Sequence, residues 1–171
     1  MKLILTDRPL NISADNLDKS VKIIDLSTLK IANCMGCFGC WTKTPGKCVI
    51  RDDAAGVYPC IAKSDEVLYI SSVKYGCYDT TMKTMLERAI PVQQAFIRLL
   101  NGETHHVQRD VAMKNAVIIA YGDISAEEKE VFEKLVERNS KNMNFKSFKV
   151  IFTTDASLEE TVNNEVKKWR I

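Results

Sequence analysis

Five short aliphatic and β-branched runs, at 2–6, 21–26, 66–73, 116–121 and 148–153, constrain this chain more than any other feature. Val67-Leu68-Tyr69-Ile70 and Val117-Ile118-Ile119-Ala120 are apolar at every position, without the alternation of a strand that has one wet face. Such a strand needs cover on both sides, which is the situation inside a parallel sheet. Between the last three runs the spacing turns helical. Over 79–100, Met82, Met85, Leu86, Ala89 and Ile90 fall on one face, which predicts a long helix. Over 125–142, Ser125-Ala126-Glu127-Glu128 reads as a capping box, with Val131, Leu135 and Val136 turned inward. The tail, from Ser157-Leu158-Glu159-Glu160 to Trp169, reads as a third helix with its own capping box. Strand alternating with helix predicts a three-layer α/β arrangement of five parallel strands, with 1–171 as one domain.

The first crossover departs from this grammar. Only 7–20 separates the first two runs, and it holds Pro9 and a polar stretch from Asn11 to Asn16. A parallel crossover usually takes a dozen or more residues with a helix of several turns. This segment therefore predicts a trimmed unit with at most a turn or two of helix.

Composition excludes several functions. Lys plus Arg number 24 and Asp plus Glu 22, a net charge of +2, which makes no electrostatic case for a nucleic-acid or membrane-surface partner. No apolar run approaches the roughly 20 residues that cross a bilayer. Met1-Lys2-Leu3-Ile4-Leu5-Thr6-Asp7-Arg8 turns polar too soon for a signal peptide, so a cytoplasmic location is expected. In that setting the six cysteines read as thiols or ligands, not as a disulfide framework.

Cys34, Cys37, Cys40 and Cys48 are spaced C-x2-C-x2-C-x7-C after the second run, with Gly36 and Gly39 between them. Four thiolates so close suit a 4Fe–4S cluster, one soft ligand per corner, and by ligand count also a zinc site. Free thiols in a glycine-rich loop under Phe38 and Trp41 are the third possibility, and spacing does not choose among them. Cys60 and Cys77 read as small packed residues. Asp52 and Asp53 read as caps for a helix starting near Ala54. His105 and His106 read as a solvated turn or as packing, ahead of a metal or nicotinamide contact.

The segment Cys34-Met35-Gly36-Cys37-Phe38-Gly39-Cys40 through Cys48-Val49-Ile50-Arg51-Asp52-Asp53 resembles the NAD(P)H-dependent FMN reductase and iron–sulfur flavoprotein group of the flavodoxin-like superfamily. That group has a cysteine-rich loop after strand two, followed by paired aspartates. Ser71-Ser72-Val73-Lys74-Tyr75-Gly76-Cys77-Tyr78, then Lys83 and Leu86-Glu87-Arg88, is similar to its flavin-ring loop and following helix. Gly102-Glu103-Thr104-His105-His106 is similar to a turn in some members. The resemblance implies strand order 2-1-3-4-5 and an FMN site where that order reverses. It implies ring contacts from Ser72, Val73, Lys74, Tyr75, Gly76 and Cys77, main-chain contacts near Gly122, and a cluster or metal at Cys34, Cys37, Cys40 and Cys48. It also implies a nicotinamide nucleotide and a small redox acceptor as partners, and a homodimer or homo-oligomer formed through the helix after strand three, with Glu87 and Arg88 as an ion pair at that contact.

The phosphate segment differs from the family's glycine-containing loop and helix. At Leu5-Thr6-Asp7-Arg8-Pro9-Leu10-Asn11 the glycine is missing, and Asp7 places negative charge where a phosphate dianion would sit. Thr6 and Arg8 remain as phosphate contacts, and Lys74 takes a place beside the ring that suits an anionic reduced flavin. The implied function is an FMN-dependent NAD(P)H oxidoreductase or electron-transfer flavoprotein. The alternatives are a relative that has lost FMN binding and a cluster-only electron carrier.

Overall fold

The structure, a computed structural model, describes residues 1–13, 17 and 19–169. Five parallel strands form the central sheet: β1 (Lys2–Thr6), β2 (Val21–Asp25), β3 (Glu66–Lys74), β7 (Lys114–Tyr121) and β8 (Phe145–Thr153). Their order is β2-β1-β3-β7-β8, the order 2-1-3-4-5 expected of the five runs. Β-parity sorts the side chains. Leu3, Leu5, Tyr69 and Ile118 face one core, with Val57 and Ile61 of α2 (Ala54–Lys63), Met82 and Met85 of α3 (Thr80–Glu87), and Phe132 and Val136 of α4 (Ala126–Asn142). Ile4, Leu68, Ile70 and Ile119 face the other, against Leu158, Val162 and Val166 of α5 (Leu158–Val166). Non-alternating apolar runs are thus covered on both faces, as their composition demands.

On the second face α5 is joined by the first crossover, which adds to the cover. Among the described residues that segment contains no helix; Leu10, Ile12 and Leu17 pack there instead. A non-helical backbone must place its amides elsewhere. Asn11 donates to Glu159 Oε1 at 3.3 Å, and Ser13 donates to Asn163 Oδ1 at 2.9 Å, so side chains of α5 satisfy the crossover.

The long helix expected over 79–100 is corrected. Asp79 caps it by accepting from the Thr80 amide at 2.7 Å, but α3 ends at Glu87. Pro91 has no amide to donate and stands in a 3-10 turn, Ile90–Val92. The chain then forms a hairpin, β5 (Gln93–Leu100) with β6 (Glu103–Gln108), through Asn101-Gly102 at φ 51° and 79°. Asn-Gly is the residue pair that such a two-residue turn favours. The helical subunit contact expected here has therefore lost its C-terminal half, and the segment expected as a histidine turn is strand β6.

The capping box of α4 is present in both directions between Ser125 and Glu128. That of α5 is not: Ser157 sits at φ −99°, ψ 2°, already close to helical, and makes no side-chain cap. No helix among the described residues is long and apolar enough to cross a membrane.

Candidate functional site

The strand order reverses between β1 and β3, and the carboxyl ends of β1, β3 and β7 come together there. Asp7 follows β1, and its carboxylate accepts from the Ser72 amide at 2.7 Å and from the Tyr121 hydroxyl at 2.6 Å. The Ser72 hydroxyl lies 3.3 Å from Asp7 Oδ2 and 3.0 Å from Asp79 Oδ2. Burial and then the bond to Asp7 hold the Tyr121 phenol protonated, well above its ordinary range. The expected phosphate contacts are committed elsewhere. Thr6, 2% exposed, donates its hydroxyl to the Arg8 carbonyl at 2.8 Å, and Arg8 pairs with Asp155 at 2.8 Å.

The expected ring loop is a hairpin, because β4 (Cys77–Tyr78) pairs antiparallel with the end of β3. Its turn is Tyr75-Gly76, at φ 53° and 68°. A Cβ at Gly76 would lie 2.6 Å from Val131 Cγ1, so only glycine lets this turn close on α4. The Tyr75 amide donates to Glu128 Oε1 at 2.7 Å while its side chain is 93% exposed. Lys74 pairs with Asp79 at 3.1 Å, and Val73 is buried in the core. Beside them Gly122, at φ 127°, donates its amide to the Thr153 carbonyl. The expected residues gather at one edge, but the polar side chains of Thr6, Arg8, Ser72 and Lys74 already have partners within the chain.

The cysteines lie on the α2–α3 side. Cys40 belongs to the single turn α1 (Gly39–Thr42) and is buried, Cys48 is half-buried, and Cys34 and Cys37 are exposed. Burial, then the neighbouring Cys48, pushes the Cys40 thiol up. All four cysteines, with Arg88, wall one enclosed space of about 20 Å³. That is roughly the room of one water, too small for a 4Fe–4S cube. Among the described residues no group of three or more His, Cys, Asp or Glu side chains is placed to hold a metal ion. A 4Fe–4S cluster, one of the three readings that the spacing leaves open, does not fit the loop as it is closed.

Arg88 is the group at this loop that sequence reasoning misplaced. Its guanidinium is 1% exposed and grips Asp52 at 2.6 and 2.8 Å. It also reaches the Ala32 carbonyl at 2.7 Å and Cys48 Sγ at 3.4 Å. Glu87 faces Lys83 instead. Asp52 accepts from the Ala32 amide and Asp53 from the Lys30 amide, so the paired aspartates fasten the entry to the cysteine loop; only Asp52 also reaches the Ala54 amide. No local signal shows this, because Asp52 and Arg88 are 36 positions apart.

Next to the loop, a cavity of about 480 Å³ opens between α3, α4 and β5, lined among others by Cys34, Cys77, Tyr78, Leu86, Ile90 and Met143. Its size suits a small organic ligand. The histidines are structural: His105 lies between Asn142 and Glu103, and the His106 ring is 4.7 Å from Trp41.

Compared with known proteins, the chain matches no family model. It is 35% identical over 77 residues to an iron–sulfur flavoprotein of Archaeoglobus fulgidus, a stretch covering 45% of this chain. That stretch spans 34% of the length of the curated relative. Among solved structures, an FMN-dependent NADH-azoreductase from Bacillus anthracis in complex with FMN superposes with TM-score 0.60 at 8% identity, covering 98% of this chain and 96% of that one. An NAD(P)H:quinone oxidoreductase from Methanothermobacter marburgensis superposes with TM-score 0.63 at 12% identity, covering 98% and 93%. The fold is flavodoxin-like. In a flavodoxin-like sheet the reversal of strand order is the expected ligand edge, and here it carries Asp7, Ser72 and Tyr121.

Proposed function

We propose that this flavodoxin-like chain is a flavin-dependent redox protein of the FMN-reductase type, taking electrons from a nicotinamide nucleotide and passing them to a small acceptor. The observation that carries it is the convergence of 72–78 and 121–123 at the strand-order reversal, where an open α/β sheet binds its ligand. The names of the solved structures it resembles support the same reading. The residues suit the two ends of FMN unequally. The exposed Tyr75 ring and the glycine turns at Gly76 and Gly122 suit a flat ring system. The phosphate end does not fit, because no helix begins after β1 among the described residues and Asp7 holds the anion position. A bound flavin supplies the redox chemistry, and the chain's part is to orient it.

The iron–sulfur reading is the alternative. It is supported by the stretch similar to an iron–sulfur flavoprotein. It requires the loop to open and the exposed Cys34 and Cys37 to turn inward. The test is the visible spectrum of anaerobically purified protein, followed by titration with FMN and riboflavin. Flavin bands, or saturable quenching of added flavin, are expected. A broad brown shoulder with bound iron and no flavin transfers the function to the cysteine loop. A colourless protein that ignores both flavins overturns the proposal.

A further inference from the structure

Asp7 stands among donors of the kind that hold an oxyanion. The Ser72 amide and the Tyr121 hydroxyl approach its two oxygens at 2.7 and 2.6 Å, with the Ser72 hydroxyl alongside at 3.3 Å. These donors belong to β3 and β7, while the anion comes from the end of β1. Strand order therefore builds the cage, and Tyr121 is 5% exposed. Asp7 is locked from behind as well, because its amide donates to the Ile70 carbonyl at 3.1 Å. The nearby cations that a phosphate would recruit are engaged, Arg8 on Asp155 and Lys74 on Asp79. A phosphate ester entering the cage meets a carboxylate within contact distance and two cations already paired with other carboxylates. The isoalloxazine end of a ligand meets no such opposition.

We propose that Asp7 is a built-in anion occupying the phosphate seat of the strand-reversal cleft, so that the cleft selects an uncharged flavin over its phosphate ester. The flavin part of this statement rests on the function proposed above; the filled seat does not.

Two variants test it. Asp7→Ser empties the seat, and Asp7→Asn keeps the side-chain shape while removing the charge, so it guards against a folding failure in the first. Riboflavin and FMN affinities are read by fluorescence quenching, and inorganic phosphate binding by phosphorus NMR. The unaltered chain is expected to prefer riboflavin by about tenfold or more, given like charges at contact distance in a partly buried site. Both variants are expected to raise FMN affinity by about tenfold with riboflavin nearly unchanged, and Asp7→Ser to take up phosphate that the unaltered chain ignores. If no flavin binds any of the three while Asp7→Ser takes up phosphate, the flavin function falls and the filled seat stands. If the ratio of the two flavins does not move and Asp7→Ser gains no phosphate, the seat is not one and the proposal is overturned.

Discussion

Arg88 shows how a single side chain can organise a loop that has little regular structure. Its bidentate grip on Asp52, its bond to the Ala32 carbonyl and its approach to Cys48 tie three separate parts of the cysteine segment to the end of α3. Arg88, chiefly by hydrogen bonding, holds the Asp52 carboxyl below its usual range. A guanidinium that is 1% exposed cannot lose its partner cheaply, nor can the carboxylate lose the guanidinium. Arg88→Met is expected to cost about 3–5 kcal/mol of unfolding free energy, read from urea titration at pH 7. Arg88→Lys should recover only a minor part, since an ammonium cannot reproduce the planar two-bond contact. A loss below about 1 kcal/mol for Arg88→Met would show that the pair contributes no net stability.

At the scale of elements, α4 is the clamp between the sheet edge and the inserted hairpin. At its N-terminus Glu128 does two jobs: Oε2 accepts from the Ser125 amide and Oε1 from the Tyr75 amide. At its C-terminus the free Asn142 carbonyl accepts from the side chains of Gln93 at 2.8 Å and Gln108 at 3.0 Å, one from each hairpin strand. A two-stranded hairpin is marginal alone in water, and the unpaired carbonyls of a helix end need donors, so each supplies what the other lacks. Ser125→Ala is expected to cost about 1 kcal/mol as a lost cap. Glu128→Ala should cost more than that, because it also releases the Tyr75 turn; thermal melts of the two variants compare them directly. Equal losses would mean that the Tyr75 contact is not stabilising.

For the whole molecule, the pH dependence of stability has two limbs with separate causes. Asp52, held low first by Arg88, and Asp65, held low first by the N-terminal amine, keep their charge further into acid when folded than when unfolded. Glu103 falls to about 2 through Lys141, Arg138 and His105. Their stabilisation is complete above the unfolded carboxylate values and is lost as pH falls through the lower folded ones. Lys114 acts at the other end. Buried to 1% exposure with its ammonium on the Ala112 and Met143 carbonyls, it is lowered by burial from 10.5 to about 8. Below pH 8 both states carry its proton and the burial penalty stands in full. Between about 8 and 10.5 only the unfolded chain keeps the proton, so this contribution to stability rises with pH, by about 3 kcal/mol over the window. Chemical unfolding at pH 7, 8, 9 and 10 should show that rise as the difference between the unaltered chain and Lys114→Met, because the raised Cys40 thiol works in the opposite direction over the same range. A Lys114→Met curve parallel to that of the unaltered chain would refute the assignment.

Much of the architecture is legible in sequence because it rests on local periodicity. Val67–Ile70 and Val117–Ala120 announce strands covered on both faces, Ser125 with Glu128 announces a helix start, and the short polar crossover announces a trimmed first unit. Pro91 and Asn101-Gly102 are equally local signals, and they outweigh the apolar spacing that extends a helix through 79–100. The site is different in kind. Asp7 meets Ser72 across 65 positions and Tyr121 across 114, and Asp52 meets Arg88 across 36. A carboxylate takes whichever donors the packed chain brings within about 3 Å, and no spacing rule in one dimension specifies them. The sequence by itself determined which segments become strands and helices, and it placed a negative charge after the first strand. Only the tertiary structure decided that this charge would be caged by donors from two other strands, because those donors exist as a set only once the sheet has assembled.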